Sequence, residues 1–121
     1  MELKYEKEAS DARGTILFLS YGDRSVNLVE IKKGFSRGGH YHEFETVHFI
    51  LSGKIEYRQK DVESGLEMTQ IISAPHTICI PAKAAHLLTA IEDTLFVEEF
   101  SRDYSATEYP EYRNMVRQKM A

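Results

Sequence analysis

Three histidines, His40, His42 and His48, fall in one short stretch, and His86 follows at a distance behind Pro81-Ala82-Lys83-Ala84-Ala85. On a strand, residues two apart share a face, so His40 and His42 point the same way. If the pleat stays in phase through Glu43-Phe44-Glu45, Thr46 and His48 join that wall. Val47, Phe49 and Leu51 then form the opposite face, which we expect to be the packed one. A column of polar groups inside a β-barrel needs a metal, a ligand or water, because a buried imidazole without a partner is costly. Imidazoles at i and i+2 converge from one rigid strand, and a metal would take its third ligand from a neighbouring strand. His86 is that candidate, and His48 could offer a fourth nitrogen. His48 is equally readable as a hydrogen-bonded core imidazole. An H-x-H pair alone is a weak signal, and His76 is given no role.

The elements that must position these side chains are short and β-rich. Runs at 15–20, 25–31, 46–52, 54–59, 68–73, 77–80, 87–91 and 94–100 are separated by turn residues such as Tyr21-Gly22-Asp23 and Gly53. Short strands at regular spacing indicate an all-β sandwich or barrel. The end of the chain changes character. Pro110 stands near the start of a segment where Tyr112, Met115, Val116 and Met120 recur at helical spacing, which predicts a short helix covering one end or edge of the barrel. On the 54–59 strand, Tyr57 and Arg58 lie on opposite faces; an inward Tyr57 could hydrogen-bond a ligand, or simply fill the core. Tyr41 should point away from the lumen.

The chain has 121 residues, 42% hydrophobic and 28% charged, with a net charge of −4. This bounds it to one globular domain spanning 1–121, without repeat or linker. The basic residues form only short pairs such as Lys32-Lys33, so a phosphate-reading nucleic-acid surface is not expected. No window approaches the roughly 20 apolar residues of a membrane span. Cys79 is the sole cysteine; within Ile78-Cys79-Ile80 it reads as a buried structural thiol. With no disulfide and no apolar signal-peptide stretch at the N-terminus, a cytoplasmic protein is expected.

The residues resemble the two cupin motifs. The first runs from Gly34 through His40, His42 and Thr46 to Gly53 and fits G-x5-H-x-H-x3-E-x6-G except that Thr46 replaces the glutamate. The second, Pro81-x-Lys83-x-x-His86, fits P-x-G-x-x-H except that Lys83 replaces the glycine. The resemblance implies an all-β, cupin-type jelly-roll barrel with a short C-terminal helix. In metal cupins the glutamate position is a carboxylate ligand beside three histidines. Its loss leaves His40, His42 and His86, a set similar to the three-histidine iron sites of some cupin dioxygenases. A narrower resemblance joins Asp11-Ala12-Arg13-Gly14 to Arg37-Gly38-Gly39-His40-Tyr41-His42. It is to cupins that act on nucleotide sugars: 3,5-epimerases, 3,4-ketoisomerases and the cupin domain of capsule-sugar reductases. That likeness implies a catalytic His40 and His42 moving protons beside a ketone, with Arg37 near phosphates or sugar. Imidazole titrates near neutrality and suits that work.

Three functions follow. One is a sugar or nucleotide-sugar isomerase or epimerase, with Arg37, Thr46, His48 and Tyr57 as candidate substrate contacts. The second is a metal-dependent enzyme holding Fe, Ni, Zn or Mn on His40, His42 and His86. The third is a non-catalytic cupin that binds a small molecule. A homodimer is expected, because a small barrel has edges and apolar faces to cover, with the tyrosine-rich segment from Tyr104 to Tyr112 as its suggested interface.

Overall fold

A computed structural model describes residues 1–101 and 105–121. Ten strands follow one another: β1 (Leu3–Asp11), β2 (Gly14–Tyr21), β3 (Arg24–Ile31), β4 (Ser36–Tyr41), β5 (Thr46–Ser52), β6 (Lys54–Asp61), β7 (Glu67–Ser73), β8 (His76–Ile80), β9 (Ala84–Ala90) and β10 (Thr94–Ser101). A two-residue β11 (Thr107–Glu108) and helix α1 (Pro110–Met120) complete the order. The strands form two antiparallel sheets, β1-β2-β3-β10-β5-β8 and β11-β4-β9-β6-β7. The expected all-β jelly roll with one short C-terminal helix is what the chain adopts. β5 coincides with the 46–52 run, and the other expected strands are met with shifts of a few residues at their ends.

The alternation of each strand decides what lies between the sheets. Val29, Ile31, Ile50, Ile78, Ile80 and Phe96 come from one sheet, and Ile55, Tyr57, Ile72 and Leu88 from the other. Every one of these is at most 5% exposed. The second, smaller core lies outside the barrel. There α1 lays Tyr112 and Val116 on Ala85 and Leu87 of β9, with Tyr41 packed at its margin. Tyr41 therefore does point away from the lumen. Pro110 occupies the first turn of α1, where its missing N–H costs nothing.

Two sequence expectations are corrected here. The face of Val47, Phe49 and Leu51 is not the packed one: these residues are 38%, 39% and 42% exposed. A barrel has a single interior, so the histidines and the apolar core share one side of β5, with Thr46, His48 and Ile50 all buried. Cys79 is exposed, because pleat parity turns Ile78 and Ile80 inward and Cys79 out. Within the segment suggested as an interface, Tyr112 is buried in the chain's own second core while residues 105–108 are exposed; Tyr104 lies outside the described residues. Finally, β1 was not foreseen. Its sequence, LKYEKEASD, is charged and exposed along its whole length, and it is a strand because β2 pairs with it across eight registered positions.

Candidate functional site

His40 and His86 face each other directly across the β4–β9 ladder, next to a register shift between Gly38 and His40. That irregularity needs glycine. Gly38 has φ +114°, and a Cβ there would stand 2.5 Å from the His86 carbonyl oxygen. Gly39, at φ +85°, would place its Cβ 2.7 Å from the Arg113 Cα of α1. The glycine pair thus lets β9 and α1 close on the strand that carries His40. His42 sits just beyond β4, and its carbonyl accepts the Lys83 N–H at 2.7 Å. Lys83 has φ +62°, a left-handed conformation that favours glycine. That is the physical reason for glycine in the corresponding motif.

The imidazoles converge as expected. Ring centroids are 5.1 Å apart for His40 and His42, 4.7 Å for His40 and His86, and 5.7 Å for His42 and His86. One ligand nitrogen from each of these three lies within 4.8 Å of the others. His48 is adjacent, 5.9 Å from His86 and stacked on Phe96 at 5.1 Å, but it stands outside that mutual set. Its Nε2 lies 3.6 Å from Glu98 Oε2, and its Nδ1 is buried without a hydrogen-bond partner. Thr46 Oγ1 is in the same condition.

The donor chemistry fits a metal. A metal-ligating histidine usually gives its other ring N–H to a carbonyl or carboxylate, which fixes tautomer and orientation. His42 Nδ1 lies 2.8 Å from the Ser105 carbonyl and His86 Nδ1 3.2 Å from the Ala84 carbonyl, the arrangement in which Nε2 faces a metal. Burial pushes His40 down to about 4, helped by the neighbouring His42 and His48 imidazoles and by Arg113. Burial and the His40 and His48 rings hold His86 well below the ordinary histidine value. His48 is lowered by burial, with Glu98 opposing. His40 and His86 are therefore neutral near pH 7, the form a metal requires.

A cavity of about 190 Å³ opens beside this cluster, lined by His40, His48 and His86 and walled by Ile16, Val29, Leu88 and Phe96. Arg13, Arg37, Arg113 and Glu98 supply its charge. Arg37 is 7% exposed; its Nε donates to the Glu30 carbonyl at 2.8 Å, while Nη2 is buried with no partner. Arg13, paired with Asp11 at 2.7 Å, lines the cavity, so the D-x-R-G turn reaches its wall. Of the sequence candidates, Arg37, His40, His48 and His86 line the cavity. His42, Thr46 and Tyr57 are not among its lining residues; the Tyr57 hydroxyl donates to Gln59 Oε1 at 2.7 Å and its ring belongs to the core. Arg113 and Glu98 were not anticipated. They reach the site from α1 and β10, and no local pattern announces a contact made across such a separation.

No protein-family model and no curated protein matches the chain. Solved structures do. The oxalate decarboxylase of Lactobacillus farciminis, in a formate complex, superposes with a TM-score of 0.72 at 22% identity over 88% of this chain and 34% of that one. The Bacillus subtilis oxalate decarboxylase, studied for its Mn(II) centres, gives 0.74 at 18% identity over 91% and 32%. The capsular polysaccharide assembling protein CapF from Staphylococcus aureus gives 0.66 at 20% identity over 77% and 29%. The fold is thus that of the cupins, and His40, His42 and His86 are a group that could hold a metal ion. The chain spans about a third of the length of the structures it matches.

Proposed function

We propose that this chain is a metal-dependent cupin acting on a small molecule held in the cavity beside His40, His42 and His86. The observation that carries the reading is the convergence of three ligand nitrogens within 4.8 Å, two of them on rings oriented by carbonyls from behind. His40, His42 and His86 would hold the ion, and neutral imidazoles suit iron, nickel or zinc, with manganese as a further candidate. A divalent ion there would act as a Lewis acid on a bound oxygen. The chain's own residues do the rest. Ile16, Val29, Leu88 and Phe96 form the apolar wall, and Glu98 lies 3.6 Å from His48 Nε2.

Metal analysis after expression in metal-supplemented medium tests this. About one equivalent per chain is expected, lost in His42→Ala with the melting temperature of the metal-free protein little changed. Metal-free protein at every supplementation, or unchanged metal content in His42→Ala, would sink it.

One observation favours a second reading. Arg13 of the D-x-R-G turn and Arg37 line the same cavity, as expected of a nucleotide-sugar cupin using His40 and His42 for proton transfer. A cavity of about 190 Å³ would then take the sugar ring, with the nucleotide outside. Binding of a thymidine or uridine diphosphate sugar to metal-free protein would move weight to this reading.

A further inference from the structure

We infer that the C-terminal segment 105–116 is an outer clamp on the histidine site, its docking coupled to the position of the three imidazoles, with Arg113 as a positioning residue. This rests on the metal-centre reading for what the rings hold, but it concerns the residues beside and behind them. Strand β4 and the residue after it are gripped along their length. His42 Nδ1 lies 2.8 Å from the Ser105 carbonyl. Thr107 and Glu108 of β11 pair with Tyr41 and His40. The Tyr109 N–H donates to the Gly39 carbonyl at 2.8 Å, and Arg113 Nη1 donates to the Gly38 carbonyl at 3.1 Å. The third histidine is backed by the same segment. Ala85 and Leu87, the neighbours of His86 on β9, carry Tyr112 and Val116 of α1. Gly39 shows how closely the parts fit, since a Cβ there would stand 2.8 Å from the Arg113 backbone nitrogen.

The clamp has little stability of its own. β11 is two residues long and both are exposed. Helix α1 has eleven residues, and an isolated helix shorter than about 12–15 residues is marginal in water. The segment is therefore ordered by docking, and such segments open well below the free energy of global unfolding. When it lifts, His42 loses the carbonyl at its Nδ1, and β4 loses its partners at Gly38, Gly39 and His40. A ring held by such a partner is the better metal ligand. The coupling is reciprocal, so whatever fixes the rings favours the docked clamp by the same factor. Arg113 joins the two parts, because its backbone belongs to α1 while its side chain lines the cavity.

Zinc, which has no redox chemistry, is the probe, and amide hydrogen exchange of the full chain, read by mass spectrometry, is the measurement. One equivalent should slow exchange over 105–116 by at least about fivefold and leave β1, at the far edge of the other sheet, unchanged. Zinc affinity, measured by competition with a chromophoric chelator, should fall about tenfold in Arg113→Met. Arg113→Lys, which keeps a donor and a charge, should recover part of that loss, whereas a merely structural residue would give the two variants the same affinity. Zinc binding with exchange over 105–116 unchanged, or slowed no more than that of β1, would overturn the inference and leave the metal centre standing. So would equal affinity in the wild type and Arg113→Met. If zinc does not bind at all, the metal centre fails and the metal-free protein decides the clamp. There His42→Ala should speed exchange over 105–109 by at least about fivefold, and unchanged exchange would overturn the inference as well. If Arg113→Met does not fold, the zinc-dependent exchange of the wild type decides.

Discussion

His40 is held at about 4 by burial and by the imidazoles around it, against 6.5 for an unhindered side chain. Between those values the unfolded chain binds a proton that the folded chain refuses. Stability therefore falls as the pH drops through that window, and His86, lowered for the same reason, adds to the slope. Urea midpoints of the metal-free protein should decrease steadily from pH 7 to pH 4; a flat profile would mean that these rings are solvated. The acidic side chains make their own contribution lower down. Asp11, held at about 2 chiefly by Arg13, is protonated only below this window.

At the scale of the element, β5 shows how one strand serves two purposes on a single face. Thr46 and His48 stand at the pocket end, and Ile50 closes the core. Ile50 is fully buried, so Ile50→Ala should cost about 2–5 kcal/mol. Phe49→Ala, whose ring is 39% exposed, should cost below about 1 kcal/mol where the chain is monomeric. Chemical denaturation of both variants checks this, and a larger loss for Phe49 would reverse the two faces. The β9 end is set by backbone rather than packing. Val62 N–H donates to the Lys83 carbonyl and Lys83 N–H to that of His42, so the turn before His86 is pinned from both sides despite its left-handed residue.

At the scale of the molecule the two sheets are treated unequally. Helix α1 covers part of the outer face of the β4–β9 sheet. The outer face of the other sheet carries an apolar row, Leu17, Leu28, Val97 and Phe49, aligned across four neighbouring strands, with Val47 and Leu51 exposed beside it. We propose that a second copy covers this face, a self-complementary contact of the kind two-fold dimers use. Light scattering at micromolar concentration should give twice the chain mass, and Phe49→Asp should give a monomer with an unchanged circular-dichroism spectrum. A monomeric wild type would refute it. No helix among the described residues is long and apolar enough to cross a membrane.

Much of this was legible in the residues alone. Period-two alternation, glycine punctuation and the spacing of His40, His42 and His86 depend on local geometry, and local geometry survives folding. So an all-β sandwich or barrel, the strand of 46–52, the terminal helix and the shared wall of histidines could be read from the chain, and the resemblance to the cupin motifs implied the jelly roll. What the tertiary structure decided is which side of each strand is inside, and what meets there. Alternation defines two faces but does not say which is buried. Only closure of the barrel turned Val47, Phe49 and Cys79 outward and set Ile50 behind the histidines. β1 exists because β2 offers it an edge, not because its charged sequence favours a strand. Arg113 and Glu98 enter the cavity from the helix and from β10, and Arg37 loses its solvent there, through contacts between segments far apart in the chain that no local pattern encodes.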